Sequence, residues 1–202
     1  MKKGGKYFMF AGFIVLLSCE LVAQPISKRY IDSLLRIAAK PKRDSNSVSA
    51  YDQLHRYFFD RGLYDSTRKY TIQALQLAKM IGNEKNLARM HYRLGMTYTN
   101  LNNYDSANYY LNEALRSART LGDTALEVNC YNAFAYVHNY QSDYSASIDY
   151  LLKAVQIIDL SRSTQLKNML PQTYSSIAYN FLGEKQYAKA IDYGKKGLFI
   201  KG

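Results

Sequence analysis

Cysteine is scarce in this sequence, and its scarcity limits how the fold can be held together. Only two cysteines occur in 202 residues, Cys19 and Cys130. Cys19 lies in an N-terminal apolar stretch with the pattern of a targeting segment, so removal of that segment would leave Cys130 without an intramolecular partner. We therefore expect packing rather than disulfides to stabilise the fold, and we interpret Cys130 as a partly buried structural thiol.

Proline is almost as rare, and each of the three prolines lies at a predicted boundary. Pro25 follows the targeting segment. Pro41 ends a helix predicted over residues 27–39, because proline disfavours helical geometry in the residue before it. Pro171 is predicted at the entrance to another helix, where its missing N–H costs no hydrogen bond.

Sequence motifs for catalysis are also missing. The chain contains no glycine-rich phosphate loop, no HExxH and no GxSxG, and its acidic residues are scattered rather than paired. The sequence therefore predicts no catalytic residue, no metal site and no cofactor. It favours a binding protein over an enzyme.

The N-terminus has the pattern of a signal peptide over residues 1–23. Three lysines within the first six residues precede an apolar stretch at 7–19, which is too short for a membrane span of about twenty residues. Two processing routes stay open. Cleavage after Ala23 is favoured by that small residue, and the alternative is a lipoprotein signal that ends before a lipidated Cys19. Both routes predict an exported protein that is periplasmic or associated with the cell envelope.

The basic net charge does not point to nucleic acid. The whole chain carries +11, and residues 1–23 contribute three lysines and one glutamate, a net +2, which leaves +9 after export. An exported protein meets little nucleic acid, and no predicted helix combines a basic run with interleaved aromatics. We expect a solvated basic surface and no nucleic-acid partner.

A repeat of about forty residues organises most of the chain. The unit at 88–123 contains two amphipathic segments with apolar residues at helical spacing, joined by a turn rich in asparagine. Several columns recur in phase: Tyr51, His91, Tyr131 and Tyr174; Leu54, Leu94, Phe134 and Ile177; Phe58, Tyr98, His138 and Phe181; Tyr70, Tyr110, Tyr150 and Tyr193. So many columns in phase predict tandem helix–turn–helix units.

The central unit resembles the tetratricopeptide repeat (TPR) family. The residues that carry the resemblance are His91, Leu94, Gly95 and Tyr98 on the first helix and Ala107, Leu111 and Ala114 on the second. The resemblance implies an all-α fold, a right-handed α-solenoid of about four TPR-like units plus an N-terminal helix, within residues 24–202. We expect the units at about 48–82, 88–122, 128–162 and 171–202. The period exceeds the family's usual thirty-four residues, as in the longer variety found in bacterial signalling and peptide-sensing proteins.

The repeat also assigns structural roles to residues that could otherwise suggest chemistry. The three histidines occupy different units, and His91 and His138 stand in aromatic columns, so we expect packing rather than metal binding. His55 stands where the family prefers glycine, which predicts looser helix packing in the first unit. Asp65 and Asp105 are interpreted as caps of the second helices.

A solenoid of this kind exposes its first helices on a concave face, where a partner could bind. We predict a peptide-binding groove formed by Arg56, Arg89, Tyr92, Met96, Asn129, Asn132, Tyr136, Asn139 and Tyr179, with Asp52, Phe59, Thr99, Gln172 and Ser175 on the same wall. Amide side chains donate and accept hydrogen bonds together, so they suit a peptide main chain. Arginine could hold a carboxylate.

Two functional hypotheses follow. The first is a non-enzymatic module that binds a protein or peptide partner outside the cytoplasm, which we interpret as the sensing part of a longer bacterial signalling protein. The apolar end of the last helix, at residues 198–200, favours this longer protein, because solenoids usually end in a polar cap. The alternative is an envelope-attached structural scaffold or lipoprotein with no discrete ligand, attached to the membrane through a lipid or a downstream segment.

Overall fold

Helices build all the regular structure in the part of the chain that the computed structural model describes, residues 28–199. In chain order they are α1 (Lys28–Ala39), α2 (Ser45–Phe59), α3 (Tyr64–Met80), α4 (Glu84–Asn100), α5 (Tyr104–Leu121), α6 (Thr124–Tyr140), α7 (Tyr144–Leu160), α8 (Thr164–Lys167), α9 (Leu170–Gly183) and α10 (Tyr187–Phe199). The predicted signal peptide at 1–23 and the predicted lipidation site Cys19 lie outside the described residues.

The helices pack as consecutive pairs, which confirms the predicted all-α solenoid. The pairs are α2 with α3, α4 with α5, α6 with α7, and α9 with α10, and each pair also contacts the next one. The short helix α8 lies between the third and fourth pairs, and α7 packs directly on α9 beyond it. This insertion explains why the last repeat follows at a longer spacing than the others.

Each pair is joined by the same aromatic contact between its two helices. The stacked rings are Phe58 with Tyr70 at 5.3 Å, Tyr98 with Tyr110 at 5.4 Å, His138 with Tyr150 at 5.3 Å, and Phe181 with Tyr193 at 5.4 Å between centroids. Stacked aromatic pairs contribute about 0.5–1.5 kcal/mol beyond their buried area. The recurring columns of the sequence are therefore the contacts that fix how each pair is assembled.

The closest approach within a pair is adjusted by exchange of large and small residues. A Cβ atom built on Gly95 would lie 2.6 Å from the Leu111 side chain, so any larger residue at this position would force that leucine to shift. In the first pair His55 replaces the glycine and Thr71 replaces the leucine, and both are buried. The Thr71 hydroxyl donates to the Thr67 carbonyl oxygen at 2.7 Å and accepts from His55 Nδ1 at 2.7 Å. The hydrogen-bonded side chains of His55 and Thr71 thus fill the space between the two helices of the first pair. The looser packing that the sequence predicted for this unit is therefore not observed.

Helix α1 covers the open face of the first pair and so serves as an N-terminal cap. Ile31 and Leu34 are buried against the core that contains Leu54 and Leu77. The Tyr51 hydroxyl donates to the Ala38 carbonyl oxygen at 3.0 Å, which satisfies a carbonyl of the last turn of α1. Burial of this apolar stripe shields the first repeat from water.

The turn inside each pair contains a residue in the left-handed conformation, and its residue type differs from pair to pair, so the sequence does not predict it. The residue two before each second helix has positive φ in all four pairs: Gly62 at 69°, Asn102 at 56°, Ser142 at 61° and Lys185 at 60°. Only glycine adopts this conformation without a steric cost, so three of the four turns carry local strain. The turns after the first and second pairs use glycine, with Gly82 and Gly122 both at 65°.

These turns correct the predicted helix caps. Helix α5 begins at Tyr104, and the side chain of Asn103 accepts from the Ser106 N–H at 3.1 Å, so Asn103 is the cap. Asp105 lies in the first turn, where its charge favours the positive end of the helix dipole. Asp65 is in the equivalent place in α3 and pairs with Arg68 at 2.9 Å. The sequence prediction therefore places both caps two residues too late, because each helix begins two residues after the left-handed residue of the turn.

Between residues 28 and 199, no helix is both long enough and apolar enough to cross a membrane.

Candidate functional site

A groove of about 760 Å³ opens on the concave side of the second, third and fourth pairs. Its walls come from the first helices α4, α6 and α9, and α7 forms part of its floor. The lining residues are Tyr92, Met96, Asn132, Ala133, Ala135, Tyr136, Asn139, Tyr140, Ser147, Leu151, Gln172, Thr173, Ser175, Ser176, Tyr179 and Asn180. This volume lies within the range of sites that bind small ligands or peptide segments.

The repeat brings equivalent residues side by side along the groove. Because neighbouring first helices run alongside each other, residues one repeat apart form rows across the wall. Met96, Tyr136 and Tyr179 make one such row. Tyr179 projects from α9 with 62% of its surface exposed, so it offers a rigid aromatic contact to a partner.

Two asparagines join the α6 and α9 walls. Asn139 Nδ2 donates to Asn180 Oδ1 at 2.9 Å, and Asn180 Nδ2 donates to the Ser176 carbonyl oxygen at 2.8 Å. Asn180 is only 2% exposed, so this link between the two helices is shielded from water. A satisfied buried amide fixes the relative position of the walls.

Two tyrosines on α6 form a second polar cluster. The Tyr136 and Tyr140 hydroxyls lie 2.6 Å apart, and their rings meet edge to face at 4.6 Å between centroids. Burial raises the pKa of Tyr136, and its hydrogen bond to Tyr140 raises it further. Burial also raises the pKa of Tyr92 on α4. The Tyr136 and Tyr92 hydroxyls are therefore neutral at physiological pH, and they donate and accept hydrogen bonds without carrying charge.

Two lining residues hold oxygen atoms that have no hydrogen-bond partner among the described residues. They are Asn132 Oδ1 on α6 and Ser147 Oγ on α7, and both atoms are shielded from water. Ser147 is fully buried, whereas the Asn132 side chain is half-exposed. Buried polar atoms are almost always hydrogen-bonded in folded proteins. The described residues hold four unpartnered side-chain atoms of this kind, and the other two, Gln73 Oε1 and His91 Nδ1, do not line the groove.

Six of the nine predicted groove residues lie together in this groove. They are Tyr92, Met96, Asn132, Tyr136, Asn139 and Tyr179. Arg56, Arg89 and Asn129 do not line it. Arg56 and Arg89 are exposed, and an Arg56 guanidinium nitrogen lies 3.6 Å from the Asp52 carboxylate.

Two further residues expected on the same wall are buried instead. Asp52 forms an ion pair with Arg93, which is one repeat further along the chain, and a second Arg93 nitrogen donates to it at 3.3 Å. Thr99 is fully buried, and its hydroxyl donates to the Gly95 carbonyl oxygen at 2.9 Å. The predicted wall is therefore wrong at these two positions. Phe59 is half-buried and stacks on His55 at 5.4 Å between centroids.

Sequence reasoning missed five polar contributors to the groove: Tyr140, Ser147, Thr173, Ser176 and Asn180. Ser147 lies in a column that the other repeats fill with Thr67, Ala107 and Ala190, so the column suggested packing. The polarity of Ser147 within a core column was the available signal.

The histidines and Cys130 have structural roles. Burial lowers the pKa of His55 to about 3, and the nearby Arg93 and Arg56 charges lower it further. Cys130 is fully buried, and burial raises the pKa of its thiol to about 12, so the thiolate is not accessible at neutral pH. Within residues 28–199 no group of three or more histidine, cysteine or acidic side chains is arranged to hold a metal ion.

Comparison with known proteins agrees with this architecture. Residues 47–120 match the family model described as tetratricopeptide repeat. BtubC (BKLC) from P. vanneervenii has a similar solved structure, with a TM-score of 0.69 and 20% identity, over 84% of this chain and 69% of that one. The apo form of RapI gives a TM-score of 0.70 and 13% identity, over 85% of this chain and 62% of that one. No curated protein matches the chain in sequence.

The two kinds of comparison carry different weight. At 20% and 13% identity the solved structures share the fold alone, and this chain spans less than two thirds of the length of the RapI chain. The family match does not depend on these structures. It covers the first two helix pairs, α2 to α5. The chain therefore carries tetratricopeptide repeats at residues 47–120, within a TPR-like solenoid.

Proposed function

We propose that this protein is a non-enzymatic interaction module that holds an extended segment of a peptide or partner protein in the concave groove. The observation that carries the proposal is the groove itself, built from three successive first helices and lined by amide, hydroxyl and tyrosine side chains. Solenoids of this type use their concave surfaces for binding. The family is generally a scaffold rather than a catalyst, which also supports a non-enzymatic role.

The chemistry of the lining fits a peptide main chain. An extended peptide presents alternating N–H and C=O groups, and asparagine and glutamine side chains can pair with both. Asn132, Asn139 and Gln172 supply such amides from two neighbouring helices. Tyr136 and Tyr179 supply rigid contact area at a low cost in side-chain entropy.

We further propose that the protein acts outside the cytoplasm, as the sensing part of a longer signalling protein. The basic and apolar pattern of residues 1–23 supports export. The intact mass of the protein from its native cells would test this. A chain that begins at Gln24, or a diacylglyceryl group on Cys19, would support export, whereas an unprocessed chain recovered from the cytosol would contradict it.

Panning a display library of random linear dodecapeptides against the immobilised protein would test peptide binding. The variant Tyr179→Ala removes an aromatic contact of the groove. Tyr109→Ala is the matched control, because Tyr109 is 61% exposed but does not line the groove. We expect Tyr179→Ala to weaken the enriched peptides by about fivefold or more, the size of a typical interface contact, and Tyr109→Ala to leave them unchanged. Failure to enrich any peptide, or equal loss in both variants, would contradict the proposal.

A further inference from the structure

We infer that the ligand segment held in the groove is uncharged and donates a hydrogen bond to Asn132 Oδ1. This inference rests on the proposed binding function and specifies the ligand class. It comes from two features of the groove, the absence of charge from its lining and the unpartnered amide oxygen on its wall.

The groove is neutral although the protein is strongly basic. The chain carries +11, yet none of the sixteen described residues that line the groove is acidic, basic or histidine. The arginines that the sequence placed on this wall lie elsewhere. Arg93, the arginine next to Tyr92 in the chain, is neutralised by Asp52.

A neutral lining selects against charged ligands. An ion that leaves water for a groove without a counter-ion loses hydration and gains no compensating pair. A carboxylate or ammonium in the central part of the ligand would therefore weaken binding. Main-chain amides and the side chains of serine, threonine, asparagine and glutamine meet no such penalty, because the lining can hydrogen-bond to them.

The unpartnered oxygen of Asn132 specifies the complementary group. This oxygen only accepts hydrogen bonds, and none of the described residues donates to it. The Asn132 side chain is half-exposed, and its terminal torsion is soft, so the amide can turn its oxygen toward a ligand. A main-chain N–H of the ligand at this point would satisfy an atom that is otherwise left unpaired.

The test uses peptides enriched from the random dodecapeptide library and the isosteric variant Asn132→Asp. This change keeps the acceptor and adds one negative charge to the wall. Asn129→Asp is the matched control, because Asn129 lies on the same helix, is also half-buried and does not line the groove. Circular dichroism of both variants checks that the fold is retained.

For the wild-type protein, we expect the enriched peptides to share an uncharged run, and an aspartate or lysine placed within that run to weaken binding about tenfold or more. A peptide with a lysine in the run should bind the Asn132→Asp variant about tenfold more tightly than it binds the wild-type protein. The same peptide should bind Asn129→Asp no more tightly than the wild type.

The donor is tested by methylating the main-chain N–H groups of one enriched peptide in turn. One methylation should weaken binding to the wild type about fivefold or more and have little effect on Asn132→Leu. Equal effects on both proteins at every position would overturn the role of Asn132.

The outcomes separate this inference from the proposed function. Enriched peptides that require a charged residue at the groove would overturn the neutral ligand but keep peptide binding. These peptide substitutions are read on the wild-type protein, so the result does not depend on any variant folding. A library that yields no binder would remove the proposed function and this inference together.

Discussion

Replacing Ser147 by alanine should make the protein more stable. Ser147 is fully buried on α7, and its hydroxyl has no hydrogen-bond partner among the described residues. The equivalent positions in the second and fourth pairs are Ala107 and Ala190, which shows that the fold accepts alanine here. The equivalent Thr67 instead donates to the Leu63 carbonyl oxygen at 3.0 Å.

The size of the effect follows from two opposing terms. An unsatisfied buried hydroxyl costs about 1–3 kcal/mol. Removing one oxygen atom leaves a small gap, whose cost is a few tenths of a kcal/mol at roughly 24 cal/mol per Å³. We therefore expect Ser147→Ala to raise the free energy of unfolding by about 1 kcal/mol, and the melting temperature by about 2–4 °C for a chain of this length.

Urea unfolding followed by far-UV circular dichroism measures the difference, provided that the denaturant slope is unchanged. Thr67→Ala is the matched control, because it removes a hydroxyl that is bonded. Its loss should lower stability by about 1 kcal/mol, the opposite sign. If Ser147→Ala also lowered the unfolding midpoint, the Ser147 hydroxyl would be hydrogen-bonded in solution, and its assignment as an unpaired oxygen of the groove floor would be wrong.

Two further predictions concern pH and the turns. The fold lowers the pKa of His55 to about 3, so below about pH 6.5 the unfolded chain binds a proton that the folded chain does not. The free energy of unfolding is therefore retained above about pH 6.5 and falls as the pH drops toward 3. The loss should be about 2 kcal/mol between pH 7.5 and pH 5. His55→Ala should show a correspondingly smaller loss in urea unfolding at these two pH values, and an unchanged loss would contradict the burial of a neutral His55. Lys185→Gly should stabilise the protein by about 1 kcal/mol, because Lys185 has positive φ, whereas Gly62→Ala at the equivalent turn should destabilise it. Thermal melts compare the two, and a lower melting temperature for Lys185→Gly would contradict the strained turn.

The repeat made the fold predictable from the sequence, because its columns are pairwise contacts. The columns that contain Tyr98 and Tyr110 keep a constant separation in the sequence. The two aromatic rings that they supply stack on each other in every pair. Periodicity also identified which side of each first helix faces outward from its own pair. That information predicts Asn132, Tyr136 and Tyr179 on the outward side, and all three line the groove.

What escaped prediction depends on contacts between repeats or on backbone geometry. Asp52 is on the outward side of α2, but its partner Arg93 is one repeat later, and no periodic rule announces a cross-repeat ion pair. Asn102 and Lys185 do not resemble each other, yet both take the same left-handed turn. The helix start was misjudged for this reason, and with it the cap at Asn103.

The position of the groove along the solenoid follows from these unpredicted contacts. In the first pair, the outward side of α2 carries Asp52, whose ion pair with Arg93 is largely buried. Beyond it the equivalent positions carry neutral side chains such as Asn132, and the wall stays open. Local rules of polar satisfaction are broken at Asn132 and Ser147, beside that open section. Departures from such rules tend to occur at functional sites, and a ligand that donates to Asn132 would remove one of them.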